Sequence, residues 1–157
     1  MITLIEDTRQ KKDLHKVKHD YWENEGRNII RCALPFGDYV TAPTVAVDTK
    51  QNIAEIGVNM CGAGREKHRF LEECKKAKEA NCRLIFLIED ARFSKVNDLY
   101  GKKIYLHNGQ IIPGDQLATA MNTMANRFGC EFLFCKPEEA GELVVKLLEA
   151  NDGEKRD

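Results

Sequence analysis

The apolar run Arg83–Ile88, RLIFLI, constrains the fold more than any other stretch of the chain. Its length is typical of a strand, and the continuous apolar residues after Arg83 leave no polar face toward solvent. The run therefore predicts a strand buried on both faces, as in a sheet that helices cover on both sides.

The flanking segments predict the rest of an α/β fold, a central mixed β-sheet flanked by helices. Alternating or apolar stretches predict further strands over residues 2–6, 28–34 and 131–135. Helical spacing of apolar residues predicts helices over 11–25, 65–80, 115–128 and 137–148, and residues 51–61 form a less regular stretch. Asn108-Gly109 predicts a β-hairpin turn, and the later β-α-β-α units predict the parallel part of the sheet.

The segment Gly37 to Lys50, GDYVTAPTVAVDTK, carries the clearest chemical signal. Two short β-type runs flank Pro43 and predict a hairpin, with Asp38 opening the first run and Asp48-Thr49-Lys50 closing the second. Alternate strand residues point to one side, so Asp48 and Lys50 are predicted to share a face.

Size and composition fit one ordinary globular domain, predicted over residues 1–150 with a polar tail at 151–157. The 157 residues are 43% hydrophobic and 31% charged, with a net charge of −1. No apolar run approaches the roughly 20 residues needed to cross a bilayer, and the N-terminus lacks a secretory pattern. We therefore expect an intracellular, cytoplasmic protein that does not bind membranes.

The cysteines and histidines indicate no zinc site. The six cysteines contain no C-x-x-C pair and do not combine with the four histidines at zinc-finger spacing. Reduced structural cysteines are expected, and His15 and His19 are interpreted as solvated helix residues. Two lysine-rich clusters, at residues 11–18 and 65–78, favour solvated helix faces over a phosphate track.

Carboxylates at strand ends beside a lysine suit metal-dependent phosphodiester hydrolysis. A hard cation such as Mg²⁺ or Mn²⁺ takes one or two protein carboxylates, here predicted to be Asp38 and Asp48, with the Thr49 backbone carbonyl as a further oxygen. Lys50 would orient the attacking water or stabilise charge on the phosphate. Asp7 can enter the same site, and Arg9 suits a phosphate oxygen.

Three motifs resemble the nuclease domain of the XPF-type structure-specific endonucleases, within the PD-(D/E)xK restriction-like superfamily. Asp7-Thr8-Arg9 resembles the family's D-x-R-E, Gly37-Asp38-Tyr39 its G-D-[YF], and Val47-Asp48-Thr49-Lys50 its V-E-R-K. The likeness spans roughly residues 2–150. It implies a restriction-endonuclease-like fold and a DNA endonuclease, possible substrates being branched flaps and forks or duplex DNA.

The resemblance also implies residue roles. Asp38, Asp48 and Asp7 would be acidic members of the site, with Asp38 and Asp48 binding the metal, and Lys50 would be the catalytic lysine. Arg9 and, with a helix alignment that can slide, Arg65 would contact DNA. A homodimer through the last two helices is a further expectation of the resemblance.

Departures from the family pattern leave an alternative open. Gln10 replaces a common Glu, Asp48-Thr49 replaces Glu-Arg, and no helix-hairpin-helix module follows in this sequence. A non-catalytic DNA-binding or scaffold module with the same fold is the second hypothesis. The third hypothesis is a small domain that binds a nucleotide or protein. The absence of G-K-[ST] after Cys61-Gly62-Ala63-Gly64 weighs against it, because a phosphate loop requires that motif.

Overall fold

The computed structural model describes residues 2–62 and 64–150, so the predicted tail at 151–157 lies outside the described residues. The strands are β1 (Leu4–Asp7), β2 (Ile29–Cys32), β3 (Tyr39–Thr41), β4 (Val45–Lys50), β5 (Arg83–Ile88), β6 (Lys103–Tyr105), β7 (Ile111–Pro113) and β8 (Glu131–Phe134). The α-helices are α1 (Lys16–Asn24), α2 (Ile53–Cys61), α3 (Arg65–Glu79), α4 (Gly114–Phe128) and α5 (Ala140–Glu149). The chain divides into two compact units, each described by itself below.

The first unit comprises the chain up to Thr44 together with Glu79–Cys82. Its sheet has the order β2-β1-β3, in which β1 pairs in parallel with β2 and antiparallel with β3. Asn28 Nδ2 donates to the Glu79 carbonyl at 3.1 Å and attaches the later segment to this unit. Because β1 is the middle strand, its last residue, Asp7, is held on both sides by neighbouring backbone.

The second unit begins at Val45 and contains the parallel sheet β4-β5-β8. Its middle strand, β5, is the predicted apolar run, and residues 85–88 are fully buried. The Phe86 ring lies 4.8 Å from Phe70 of α3 and 5.4 Å from Phe132 of β8, measured between ring centroids. The prediction of a central buried strand is confirmed.

Two local predictions in this unit are also confirmed. Strands β6 and β7 pair antiparallel around the Asn108-Gly109 turn, where Gly109 has φ 84°. Helix α4 ends at Gly129, whose φ of 71° is a left-handed cap that glycine adopts without a Cβ penalty.

The predicted hairpin between residues 39–42 and 45–47 is wrong. Strand β3 pairs with β1, whereas β4 pairs in parallel with β5. The connection between them contains Pro43, which has no N–H to donate to a ladder. The apolar start of β4 instead lies against the buried β5, since a parallel sheet buries both faces of its strands.

The stretch after Lys50 is a helix, α2, not the less regular segment expected. Asn52 is its N-cap and accepts from Glu55 N at 3.1 Å, while Gln51 N donates to Glu55 Oε2 at 2.7 Å. This pair differs from a capping box in one respect, since the Glu55 side chain accepts from the residue before the N-cap and not from the N-cap itself. Gly57 and β-branched residues lower the local helix propensity, which obscured the signal.

The predicted α/β class is confirmed, with a mixed sheet in the first unit, a parallel sheet in the second and helices packed with the strands. The prediction of one domain over residues 1–150 stays a prediction. No helix in the described part of the chain is both long and apolar enough to cross a membrane.

Candidate active site

Asp48 and Lys50 form an ion pair at the carboxyl end of β4. Lys50 Nζ lies 3.2 Å from Asp48 Oδ1, so the predicted common face is confirmed. The Lys50 side chain is 12% exposed and the Asp48 side chain 25%, so both are shielded but reachable from solvent. Lys50 Nζ also lies 5.9 Å from the centre of the Phe86 ring, close enough for a cation–π attraction.

The backbone around Lys50 is fixed by contacts on both sides. Glu89 N donates to the Lys50 carbonyl at 2.8 Å, which continues the ladder with β5. Asp90, buried just after β5, accepts from Ile53 N at 3.1 Å and so holds the first turn of α2. Sequence analysis missed Asp90, whose signal is its position directly after a buried strand.

Glu73 of α3 is the third charged member of this cluster. Burial, a side-chain hydrogen bond with Asp48 and the Asp48 charge together raise the pKa of Glu73 to about 7, while Lys50 opposes the shift. Two carboxyl groups in contact disfavour the state in which both are ionised. Sequence analysis did not find Glu73. The available signal is an acidic residue between Phe70 and Cys74, both of which face the core.

In the first unit, Asp7 ends β1 with its side chain 2% exposed. Its Oδ1 accepts from Arg9 N at 3.1 Å, and its Oδ2 accepts from Arg9 Nε at 2.7 Å and from Arg9 Nη2. These hydrogen bonds, the side-chain ones first, lower the pKa of Asp7. The arginine is 69% exposed and also donates to the Leu34 carbonyl at 3.1 Å.

Asp38 lies in the same unit and is exposed. Its Oδ1 accepts from Gln10 Nε2 at 2.9 Å, and its backbone carbonyl accepts from Asp7 N at 2.9 Å. Gln10, which stands where the family commonly has Glu, is therefore a neutral hydrogen-bond donor to Asp38, one of the two predicted metal ligands. Gly37, with φ 75°, supplies the turn before Asp38.

Glu6, one residue before Asp7, is fully buried among partners that sequence analysis did not assign to it. His19 Nε2 lies 2.7 Å from Glu6 Oε2, and Arg31 Nε lies 3.1 Å from Glu6 Oε1. The interpretation of His19 as a solvated helix residue is therefore wrong, because its side chain is 15% exposed and contacts a buried carboxylate. This cluster holds α1 and β2 to β1.

The remaining predicted residues are placed more simply. Thr49 is exposed, as expected from the alternation that puts Asp48 and Lys50 on the other face. Arg65 is the first residue of α3 and is exposed. The predicted roles of Asp7, Asp38, Thr49, Arg9 and Arg65 stay predictions.

The Asp48 and Glu73 carboxylates fit a hard divalent cation. Among residues 2–62 and 64–150, no group of three or more Asp, Glu, His or Cys side chains is arranged to hold a metal. Mg²⁺ does not require such a cage, because it usually keeps several waters and binds through one or two carboxylates. When both carboxyl groups are ionised they repel each other, and a bound cation would remove that repulsion.

The family model for the ERCC4 domain matches residues 7–147, which include Asp48, Lys50 and Glu73 as well as Asp7, Arg9 and Asp38. The chain belongs to the ERCC4 domain family. The resemblance to XPF-type nuclease domains noted in the sequence is thereby confirmed. Membership covers the motifs of both units, from Asp7 to the helices that follow β5.

Two solved structures resemble this ERCC4 domain. XPF from Aeropyrum pernix in complex with DNA matches with a TM-score of 0.49 and 14% identity, covering 100% of this chain and 68% of that chain. XPF from Aeropyrum pernix alone matches with a TM-score of 0.48 and 15% identity, covering 99% of this chain and 62% of that chain. No curated protein matches the chain.

Proposed function

We propose that this ERCC4 domain is a divalent-metal-dependent DNA endonuclease that hydrolyses phosphodiester bonds. The observation that carries the proposal is the Asp48–Lys50 ion pair at the end of β4, inside a chain that the nuclease family model matches over residues 7–147. A carboxylate and an ammonium group in a shielded position are suited to bind a metal and stabilise a phosphate charge together. DNA with flaps or forks is the substrate class we propose.

Asp48, in the second unit, would hold Mg²⁺ or Mn²⁺. The assignment of Asp38, Asp7 and the Thr49 carbonyl to the same site comes from the sequence motifs. When bound, such a cation neutralises the phosphate and lowers the pKa of its water so that hydroxide can attack.

Lys50 contributes electrostatic stabilisation. The Lys50 side chain is 12% exposed and its ammonium group lies 5.9 Å from the centre of the Phe86 ring, so water screens it less than it would a surface lysine. A donor fixed in advance loses little on reaching the transition state, in which negative charge on the phosphate grows.

Arg9 contributes to substrate binding. Nε and Nη2 are occupied by Asp7, which fixes the plane of the guanidinium group while the side chain remains 69% exposed. An oriented, exposed guanidinium group suits a phosphate oxygen. Arg65, exposed at the start of α3, is the second proposed DNA contact.

One observation favours the alternative of a non-catalytic DNA-binding or scaffold module. Gln10 Nε2 donates to Asp38 Oδ1, so one oxygen of a predicted ligand is already occupied. If Asp38 were required and this contact persisted with DNA, the chain would bind without cutting.

Location and assembly follow from the same proposal. For an enzyme that acts on DNA we propose a cytoplasmic location, which includes the nucleoid. A homodimer through α4 and α5 is proposed from the family resemblance, and α5 exposes the apolar side chains of Val145 and Leu148.

The test is a cleavage assay with labelled duplex, single-stranded, flap and fork DNA. Each is incubated with Mg²⁺, with Mn²⁺ or with EDTA, and Asp48→Asn is purified identically as the contamination control. We expect metal-dependent cutting by the wild type alone, with flap or fork DNA cut fastest. Binding of DNA without cutting on every substrate would overturn catalysis and support the scaffold alternative.

A further inference from the structure

We propose that Glu73 is a direct ligand of the divalent cation beside Asp48, so that the second unit supplies two carboxylates to the metal. This inference rests on the proposed function and adds a residue that the sequence motifs do not contain. Because Glu73 lies on α3, the helix would contribute a metal ligand as well as packing against the core.

The position of Glu73 is unusual for an acidic residue. It lies on α3 next to the buried Cys74 and one turn after the buried Phe70, so its helix position faces the core side. Removing a carboxylate from water costs free energy unless a partner compensates. A residue that is only structural would be replaceable by an apolar side chain at this position.

Glu73 is half-buried, and the fully buried carboxylates of the described residues have cationic or imidazole partners. Asp7 is paired with Arg9, Asp90 with Arg92, and Glu6 contacts His19 and Arg31. Glu73 instead hydrogen-bonds a second carboxyl group, that of Asp48. Lys50 is the cation in this cluster, and one ammonium group balances one of the two carboxylates.

A divalent cation completes that charge balance. With both carboxylates ionised and bound, their mutual repulsion is replaced by attraction to the metal, and waters fill the remaining positions. Glu73 and Asp48 approach from different elements, α3 and β4, so the ion would also link the helix to the sheet.

The test is Mn²⁺ binding to the purified full chain without DNA, measured by isothermal titration calorimetry and by the Mn²⁺ electron paramagnetic resonance signal. Glu73→Gln keeps the shape of the side chain and removes its charge. We expect its Mn²⁺ dissociation constant to rise about tenfold or more. Glu72→Gln makes the same charge change one residue earlier and should bind within about twofold of wild type.

Thermal melting in EDTA first establishes that each variant is folded. If Glu73→Gln does not fold, Glu73→Asp keeps the charge but shortens the reach, and weakened Mn²⁺ binding is again expected. Wild-type affinity in a folded Glu73 variant, with binding lost in Asp48→Asn, would overturn this inference and leave the proposed function standing. Absence of Mn²⁺ binding by the wild type would also overturn the assignment of Glu73 as a ligand. The proposed function is tested separately by the cleavage assay.

Discussion

Asp7 in the first unit and Glu73 in the second are both shielded carboxylates, but their partners have opposite charge. Asp7 accepts hydrogen bonds from the backbone and guanidinium groups of Arg9, which lower its pKa. Glu73 contacts Asp48, and burial together with this contact raises its pKa to about 7. Arg9 compensates the charge of Asp7 within the protein, whereas the like charge beside Glu73 is the reason we propose Glu73 as a cation ligand.

Asp90-Ala91-Arg92 shows that the first arrangement is a local clamp. Asp90 Oδ1 accepts from Arg92 Nε at 2.9 Å and from Arg92 N at 3.3 Å, and Asp90 Oδ2 accepts from Arg92 Nη2 at 2.7 Å. Arg9 donates from the same three nitrogens to Asp7 at the end of β1, although its Nε and Nη2 both bond Oδ2 there. An Asp-x-Arg sequence after a strand therefore produces this geometry in each unit, independently of any catalytic role.

Among substitutions that test this contrast between the Asp7 and Glu73 environments, Lys50→Ala is expected to have the largest effect. Removing the ammonium group should lower the cleavage rate constant about a hundredfold, because Lys50 acts on charge that develops in the transition state. DNA affinity should change by less than about threefold. Single-turnover cleavage and fluorescence anisotropy measure the two quantities, and equal losses in both would make Lys50 a simple phosphate contact.

Asp90→Ala tests the clamp itself. The change leaves the buried Ile53 N–H without its acceptor and Arg92 without its partner, so the free energy of unfolding should fall by about 2 kcal/mol. Urea denaturation followed by circular dichroism measures the difference. Glu142→Ala, which breaks an exposed pair with Lys146, is the control and should change stability by less than about 0.5 kcal/mol. A similar loss in both variants would contradict the account.

Arg9→Ala and Arg92→Ala compare the exposed halves of the two clamps. Each loses a guanidinium group bound to an aspartate, but only Arg9 is proposed to contact DNA. We expect the DNA dissociation constant to rise about tenfold for Arg9→Ala, with a salt slope reduced by about one, and little change for Arg92→Ala. Equal weakening by both changes would remove Arg9 from the proposed interface.

The smallest effect is the pH dependence of the Asp90 contribution. Arg92 and the Ile53 and Arg92 N–H groups hold the pKa of Asp90 below its ordinary value of 3.8. The lowered pKa stabilises the fold at pH values above 3.8, and this stability is lost as pH falls through the folded-state value. The difference in unfolding free energy between wild type and Asp90→Asn should therefore shrink on acidification below pH 3.8. A difference that grew there would show that the sign is wrong.

The sequence predicted what depends on local periodicity. The buried β5, the Asn108-Gly109 hairpin and the Gly129 cap each follow from the residues within one element. The common face of Asp48 and Lys50 likewise needs only the alternation of a strand. The shared family was predictable because its motifs are contiguous.

Pairing and long-range contacts were not predictable from the sequence. Whether β4 pairs with β3 or with β5 depends on which neighbour buries its apolar face, and adjacent position in the chain suggested the wrong partner. Glu73 and Asp48 are 25 residues apart, and no pattern within α3 shows which strand the helix covers. His19 was misassigned for the same reason, since its buried partner Glu6 lies on another element.

The most direct test of the account is the single-turnover cleavage rate of Asp48→Asn beside that of Asp90→Asn, on the DNA that the wild type cuts fastest. Both substitutions remove one aspartate charge from the same unit, and melting curves establish that both variants are folded at the assay temperature. The account predicts that Asp48→Asn loses metal-dependent cleavage while Asp90→Asn melts at a lower temperature but still cuts. Full activity in Asp48→Asn would contradict the central claim that the end of β4 carries the chemistry.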